Sequence, residues 1–367
     1  MGEDADERAT TTGPTAQSSA PPTPSDVTCV VPVYNGQRTL AACLASIRQH
    51  APGLAACIVI DDGSTDRSRE IAAAADCCVV TQPNAGAAAA RNRGLREATT
   101  DWVWFVDADC TVFPDTLDRL LPHASDGVAG VGGSYENRNR DSVLATAIHE
   151  EIVARHRRMG RDVDHLATYN VLYRRRLLLA AGGFDEAFRQ AEDVELCYRL
   201  VAGGHPLRFE PQSLVTHDHP TRLFPYLRKQ FEQAYYRMRL YRVHPRHVSG
   251  DSYVNRLDIV RPLAAAAAAF AFSAGAIDSL LRPAASHFLG VALGLAAVVV
   301  GCSIPMAREI TRQTDCRTGF ASLGLFTLRA FARAAGLVCG VFRFVVLPQR
   351  TDSAPDGTLP TATGERR

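Results

Sequence analysis

The sequence predicts an α/β fold, with a mostly parallel mixed sheet flanked by helices and then C-terminal membrane helices. Three observations support this prediction. Short apolar runs alternate with helical segments in the first half of the chain, acidic pairs directly follow two of these runs, and two 19-residue apolar stretches lie near the carboxyl end. Alternation of strand and helix at short spacing is typical of a parallel sheet with helices on both faces.

The elements of the sheet follow from local patterns. The β-branched run 27–33 predicts a buried strand, which Asn35-Gly36 ends. The later runs predict, in order, helix 39–50, strand 56–60, helix 64–75, strand 78–81, helix 91–98 and strand 102–106. Ligands of such sheets lie beyond the carboxyl ends of the strands. The acidic residues that follow strands 56–60 and 102–106 are therefore candidate site residues.

The second half of the chain changes character. Residues 226–261 are basic and aromatic and predict a helical connector. Stretch 263–281 contains one charge, Asp278, and stretch 288–306 contains none. Each is close to the ~20 residues that cross a bilayer core. The alternative is a buried, alanine-rich hairpin in a soluble domain. A third stretch, 319–347, carries three arginines, so it either lies in the interface or spans with its arginines paired.

Basic residues predict the orientation in the membrane. Arg256 and Arg261 precede the first stretch, only Arg282 lies between the two, and the second is followed by Arg308, Arg312 and Arg317. Both basic flanks should face the cytoplasm. The prediction is therefore a protein of the cytoplasmic (inner) membrane with its catalytic domain on the cytoplasmic side and in contact with membrane lipids.

Composition excludes several classes of protein. The net charge of +1 gives no reason to expect a nucleic-acid partner, and Lys229 is the only lysine. Ten cysteines without a CxxC pair predict reduced, mostly buried thiols. Residues 1–25 have no apolar stretch, which excludes a secretory signal and predicts a disordered tail. The predicted units are this tail, an α/β domain at 26–225, a connector at 226–261, membrane helices at 262–348 and a second disordered tail at 349–367.

Asp107-Ala108-Asp109 follows the apolar run WVWFV. Two carboxylates at this spacing present hard oxygen ligands from one turn, which suits Mg²⁺ or Mn²⁺. A divalent cation would neutralise a departing diphosphate. Alone, the motif has a second interpretation, since it could simply cap the next helix.

Two further segments have both structural and functional interpretations. In Asp61-Asp62-Gly63-Ser64, Ser64 could cap a helix, whereas a carboxylate at a strand end could accept the imide N–H of uracil. Asn84 and Gly86 lie in a loop that enters a helix. Arg91 in that helix could meet a phosphate or be a solvated surface residue.

Two more candidates lie further along the chain. Glu192-Asp193 opens a helix, where acidic residues are favoured by the helix dipole; the functional interpretation is a general base that deprotonates an acceptor hydroxyl. His217 follows the strand-like segment SLVT and could be a metal ligand or a structural histidine.

Together these residues resemble family 2 glycosyltransferases of the GT-A fold. The resemblance covers roughly residues 27–220. It rests on the order of VVPVYN (30–35), DDGSTD (61–66), NAG and ARNRG (84–94), DAD (107–109), GGFDE (182–186), ED (192–193) and His217.

The resemblance implies a role for each matching residue. Pro32, Tyr34 and Asp62 match positions that contact the base and ribose, and Arg91 a position near the nucleotide. Asn84, Gly86 and Asp107 complete the predicted nucleotide-sugar site. Asp107, Asp109 and His217 are the predicted metal ligands, and Asp193 is the predicted catalytic base.

The expected activity is an inverting, metal-dependent transfer of one sugar from a nucleotide-sugar, with UDP favoured because of Asp62. The acceptor would be an envelope, lipid-linked or polysaccharide hydroxyl. The chain lacks the Gln-x-x-Arg-Trp signature of processive synthases, which indicates one sugar per encounter. Two alternatives are a nucleotidyltransferase, disfavoured by the single lysine, and a catalytically silent sugar-nucleotide-binding membrane protein.

Overall fold

A mixed β-sheet is the centre of the amino-terminal part of the computed structural model, which describes residues 20–281 and 287–347. Within these residues the strands are β1 (Val27–Val33), β2 (Ala56–Asp61), β3 (Cys78–Thr81), β4 (Trp102–Val106), β5 (Thr111–Val112), β6 (Gly130–Asn137), β7 (Asp162–Val163), β8 (Asn170–Arg174) and β9 (Leu207–His217).

Helices surround the sheet and form the carboxyl-terminal part of the described chain. They are α1 (Leu40–His50), α2 (Ser68–Ala73), α3 (Ala87–Glu97), α4 (Thr116–Leu120), α5 (Val143–His156), α6 (Arg175–Ala180), α7 (Glu192–Ala202), α8 (Leu223–Val243), α9 (Arg256–Leu281), α10 (His287–Gly301), α11 (Ile304–Gln313) and α12 (Cys316–Val341).

The strand order is β3-β2-β1-β4-β8-β6-β9-β5, with β7 paired to β9. The first four strands of this order are parallel, as predicted. Beyond β4, only the β6–β9 pair is parallel; the pairings β4–β8, β6–β8, β5–β9 and β7–β9 are antiparallel. The sheet is therefore more evenly mixed than predicted, because the alternation that indicated parallel strands covers only the first half of the domain.

Two apolar layers cover the sheet. Because neighbouring residues of a strand point to opposite faces, Trp104 packs with Leu40 and Ile47 of α1, whereas Phe105 packs with Leu95 of α3. Both faces of the central strands are buried, which explains the nearly continuous apolar runs in the sequence.

Several predicted boundaries differ from the structure. The helix predicted from residue 64 begins at Ser68. The helix predicted from residue 91 begins at Ala87, so Arg91 lies one turn inside it. In the tail predicted at 1–25, residues Pro24–Asp26 form a 3₁₀ turn; residues 1–19, the tail at 349–367 and Arg282 lie outside the described residues. The predicted boundaries at 225/226 and 261/262 fall inside α8 and α9.

Among the described residues, three helical segments are long and apolar enough to cross a membrane: Arg256–Ser279, His287–Gln313 and Cys316–Val346. The third packs closely along α8. A Cβ at Gly336 would lie 2.3 Å from the Phe231 carbonyl oxygen, and one at Gly340 2.6 Å from that of Tyr235. The outer side of the segment exposes Phe320 and Phe342, so it has one protein-facing and one apolar exposed side.

Candidate active site

Three parallel strands deliver the predicted donor-binding residues to one edge of the sheet. Val33 at the end of β1 is paired with Asp61 at the end of β2, and β4 runs parallel on the other side of β1. Tyr34, Asp62 and Asp107 each come directly after one of these strands. Tyr34 is 53% exposed, which leaves its ring free to stack on a base.

Asp62 is buried and organises the loop that contains Asn84 and Gly86. Its Oδ1 accepts from Gln82 Nε2 at 2.7 Å and from the Ala85 N–H at 2.9 Å, and its Oδ2 accepts from the Gly86 N–H at 2.8 Å. The carboxylate that we predicted to read uracil therefore already has three donors of its own chain. Its observed role is to shape the loop before α3, and direct contact with a base stays a prediction.

The turn after β2 packs tightly against this loop. Gly63 has a φ of +74°, and a Cβ there would lie 2.8 Å from the Asn84 backbone nitrogen. Ser64 does not cap a helix, which was one of the two interpretations of this segment; its Oγ accepts from the Asn35 N–H at 3.0 Å. Ser64 thus links the ends of β1 and β2, because α2 begins only at Ser68.

Arg91 joins the two acidic motifs. Its Nη2 donates to Asp107 Oδ1 at 2.9 Å and its Nη1 to Glu192 Oε1 at 2.8 Å. Burial alone would lower the pKa of Arg91, but the carboxylates of Asp107 and Glu192 more than offset this and raise it. Burial, together with the charge of Asp193, raises the pKa of Glu192 against the opposing effect of Arg91. Arg91 is therefore not a free phosphate ligand; it positions Asp107 and the start of α7.

His217 lies beside Asp109 because β9 returns antiparallel to β5. Thr111 pairs with Thr216, which places the end of β9 against the turn that contains the aspartate pair. His217 Nε2 is 3.7 Å from Asp109 Oδ2. The Tyr135 ring stacks on the His217 ring with centroids 5.3 Å apart and fixes its plane.

These side chains fit a divalent cation that is also held by its substrate. Asp107 Oδ1 accepts a hydrogen bond from Arg91, and Asp107 Oδ2 has no partner in the part of the chain that the structure describes. His217 Nδ1 is buried without a hydrogen-bond partner. No group of three or more His, Cys, Asp or Glu side chains within residues 20–281 and 287–347 could hold a metal by itself. Mg²⁺ commonly takes one or two carboxylates and completes its shell with phosphate and water, which matches this sparse set.

Asp193 lies in the first turn of α7, which begins at Glu192 rather than near Val194 as predicted. The preceding Ala191 has a left-handed φ of 67°, which is strained for a residue with a Cβ. The Asp193 Oδ1 accepts from the Val194 N–H at 2.8 Å. This sharp entry to the helix directs the Glu192-Asp193 pair toward Asp107.

A cavity of about 340 Å³ brings the predicted catalytic residues together. Asp107, Asp193 and His217 all line it. A second cavity of about 590 Å³ also contacts Asp107 and Asp193 and extends to α9 and α12. Asp193, the predicted base, and Asp107 of the predicted metal motif, 86 residues apart in sequence, thus line one cavity.

Two features escaped the sequence analysis. Asn92 ties α3 to the GGFDE segment, since its Nδ2 donates to the Phe184 carbonyl at 2.8 Å and its Oδ1 accepts from the Phe184 N–H at 2.8 Å. The ARNRG motif contains this residue, but nothing local assigns its partner. Arg329 and Arg333 of α12 line the smaller cavity. The sequence did not predict this, because both arginines are far in sequence from the other residues that line the cavity.

Comparison with known proteins agrees with this geometry. Residues 28–179 match the family model described as "Glycosyl transferase family 2". A pre-mycofactocin glycosyltransferase of Mycobacterium tuberculosis (strain CDC 1551 / Oshkosh) is 34% identical over 223 residues, which are 57% of this chain and 46% of that protein. An N-acetylglucosaminyltransferase of Sinorhizobium fredii (strain NBRC 101917 / NGR234) is 30% identical over 246 residues, 60% of this chain and 59% of the relative. The chain thus spans about half the length of these two relatives.

Among solved structures, the chain is similar to a mannosyltransferase from Pyrobaculum calidifontis in complex with GDP-Man and Mn²⁺. The TM-score is 0.56 at 20% identity, over 88% of this chain and 90% of that one. At this identity the likeness concerns the fold, and it confirms the predicted GT-A architecture. Residues 28–179 thus match the glycosyltransferase family 2 model, and the sheet that contains them is similar to that of a solved glycosyltransferase.

Proposed function

We propose that this protein transfers a single sugar from a nucleotide-sugar donor to an acceptor hydroxyl, with inversion at the anomeric carbon. One observation carries the proposal: Asp193 and Asp107 line the same cavity, next to Asp109 and His217. A base and an anion-stabilising site that face one space are what a single displacement requires.

The reaction balances with the residues present. The acceptor oxygen forms a bond to the anomeric carbon as the bond from that carbon to the diphosphate oxygen breaks. The hydroxyl proton moves to the carboxylate of Asp193, and the electron pair of the broken bond leaves with the nucleoside diphosphate. Arg91 holds Asp107 in place, and the loop shaped by Asp62 cradles the nucleotide.

Asp109, the free oxygen of Asp107 and His217 would hold the metal, Mg²⁺ or Mn²⁺. When bound, it neutralises the charge that develops on the departing diphosphate. The presence of Mn²⁺ with GDP-Man in the archaeal mannosyltransferase structure supports the use of a divalent cation in this fold.

The donor class is a nucleoside-diphosphate sugar, with UDP-sugars the first to test. The argument for uracil from Asp62 is weaker than the sequence suggested, because that carboxylate binds Gln82, Ala85 and Gly86. GDP-sugars therefore belong in the same panel.

The acceptor is a lipid-linked, envelope or saccharide hydroxyl reached at the cytoplasmic face of the inner membrane. The larger cavity supports this, since it extends to Pro262 and Leu263 of α9 and to Leu337 of α12, next to the apolar helices. We propose that α9 and α10 enter the bilayer, whereas α12 lies along its surface against α8.

A donor screen tests the proposal. The full chain, purified in detergent, is incubated with UDP-, GDP- and other nucleotide-sugars, and nucleotide release is measured with Mg²⁺, with Mn²⁺ and with EDTA. We expect release from one donor that EDTA abolishes. Binding of a donor without any metal-dependent release, with or without saccharide and lipid-linked acceptors, would instead identify a silent binding protein.

A further inference from the structure

Six charged side chains from three helices form one buried group beside the active-site cavity. This arginine cluster comprises Glu151 and Arg155 of α5, Asp258 and Arg261 of α9, and Arg329 and Arg333 of α12. The first five side chains are each 6% exposed or less. These five buried side chains join the domain that contains the sheet to the C-terminal helices, and Arg333 lies beside them in a half-buried position.

Three of the arginines are paired with the two carboxylates. Arg155 donates to Glu151 at 2.7 Å and to both oxygens of Asp258 at 2.6 Å. Arg329 donates to Glu151, with one bond at 2.8 Å, and Arg261 donates to Asp258 at 3.1 Å.

Arg333 is the exception. Its Nε donates to the amide oxygen of Gln230 at 2.8 Å, and it forms no ion pair among the residues that the structure describes. Arg333 lines both cavities. The neighbouring Lys229, exposed and likewise without an ion pair in the described chain, lines both as well.

The cluster carries more positive than negative charge. Four guanidiniums face two carboxylates, and Nη1 of Arg261 is buried without a hydrogen-bond partner. Uncompensated buried charge is costly, and a cluster that served stability alone would be balanced. The imbalance therefore indicates that an anion enters the cavity next to Arg333.

The position of the cluster assigns this anion to the acceptor. The smaller cavity is lined by Asp193, the proposed base, and by Arg333. Asp107 and His217 of the proposed metal site also line it, whereas Tyr34 and Asp62, the proposed nucleotide contacts, are not among its lining residues. A group bound at Arg333 would thus lie on the side from which the acceptor hydroxyl approaches Asp193.

We infer that Arg333 and Lys229 bind an oxyanion of the acceptor, a phosphate or carboxylate group, and so place its hydroxyl at Asp193. The guanidinium fork suits such groups because it can donate two parallel hydrogen bonds. This inference rests on the proposed function, because it assigns the anion to the acceptor. Its test is independent of that function, because anion binding is measured without turnover.

The test uses the full chain in detergent and inorganic phosphate as the probe. Thermal unfolding is followed against phosphate concentration, with sodium chloride at matched ionic strength as reference. We expect saturable stabilisation of the wild type by phosphate. The apparent Kd should rise about ten-fold in Arg333→Gln and about three-fold in Lys229→Gln, which loses a more exposed charge. Arg333→Lys should recover part of the affinity.

Two surface variants are the matched controls. Arg312→Gln and Arg228→Gln each remove an arginine that is more than 75% exposed, and both should bind phosphate as the wild type does. If Arg333→Gln does not fold, Lys229→Gln and its neighbour Arg228→Gln decide alone. Equal phosphate affinity in Lys229→Gln, Arg333→Gln and wild type, or stabilisation that follows ionic strength only, would overturn the inference.

A second arm distinguishes the source of the anion. Competition of phosphatidic acid micelles with phosphate, absent with phosphatidylcholine, would support a lipid phosphate; lack of competition, with phosphate binding intact, would support a soluble acceptor. The donor screen separates the two proposals. Nucleotide release together with unchanged phosphate binding in both variants would contradict this inference alone. Phosphate binding at Arg333 without nucleotide release from any donor would contradict only the proposed function.

Discussion

At the scale of single residues, Arg91 shows how a site is assembled from distant motifs. The sequence suggested a phosphate contact because a cation stands in the first turns of a helix after a loop. The structure pairs Arg91 with Asp107 and Glu192 instead, so Arg91 fixes the position of Asp107 in the proposed metal motif. Only tertiary structure could reveal this, since the partners lie 16 and 101 residues away in sequence.

Substitution of Arg91 should therefore lower the free energy of unfolding. Arg91→Gln leaves two carboxylates beside Asp193 without a counter-charge, and breaking a buried pair costs about 3–5 kcal/mol. We expect a clearly lower apparent Tm in detergent together with loss of metal-dependent nucleotide release. The control is Arg93→Gln, which removes a half-exposed pair with Glu97 worth about 1 kcal/mol or less. Equal Tm values for the two variants would contradict the structural role of Arg91.

His156 predicts how stability depends on pH. Burial, and then the charges of His165, His149 and Arg155, lower the pKa of His156 to about 3. Between about pH 3 and about pH 6.5 the unfolded chain binds a proton at this histidine that the folded protein does not bind. The contribution of neutral His156 to the free energy of unfolding is therefore present above about pH 6.5 and is lost as the pH falls.

From pH 7 to 5 the loss from His156 should approach about 2 kcal/mol. Thermal unfolding at both pH values measures it. His156→Gln, which can still bond to Ser134, should reduce the difference between the two midpoints, whereas His50→Gln at the end of α1 should not. An unchanged difference in His156→Gln would show that this histidine is not responsible.

At the scale of secondary-structure elements, the pairing of β5 with β9 brings the proposed metal ligands Asp109 and His217 together. The sequence indicated both the aspartate pair and a histidine at a strand end, and the structure brings these residues together. It did not indicate the two-residue strand β5, because a run of two residues carries no periodicity. Chemistry thus selects the candidate residues from the sequence, whereas the contact between them depends on long-range strand pairing.

The packing of α3 on β1 gives a test at this scale. A Cβ at Gly94 would lie 2.3 Å from Val30 Cγ1, so Gly94→Ala should be destabilising by about 1–3 kcal/mol despite the better helix propensity of alanine. At Gly324 in α12 no atom lies within 4 Å of the added Cβ, so Gly324→Ala should be neutral or stabilising by up to about 1 kcal/mol. Apparent Tm values measure both, and a stabilised Gly94→Ala would contradict the packing of α3.

At the scale of the whole molecule, the C-terminal helices and the catalytic domain form one structure. The sequence located the apolar stretches well, because length and hydropathy are local properties. It placed the connector and the third stretch outside the domain, yet α8 packs along α12, and Arg329 of α12 pairs with Glu151 of α5. Such contacts involve residues more than 100 positions apart, which no local pattern reports.

The proposed topology predicts one accessible side. Cys78 of β3 is exposed, so a membrane-impermeant maleimide should label it in inside-out vesicles and not in intact cells. The Cys78→Ser variant identifies the corresponding label among the other exposed cysteines. Labelling of Cys78 from the outer face would place the catalytic domain on the opposite side of the membrane.

The most direct test of sugar transfer by this site is the rate of transfer in Asp193→Asn, measured with the donor found by screening. Asparagine keeps the size and the hydrogen bond to the Val194 N–H but cannot accept a proton. We predict a loss of kcat of about 10² or more with the donor KM retained, while the exposed Asp118→Asn control transfers normally. Transfer by Asp193→Asn at the wild-type rate would contradict the assignment of the catalytic base.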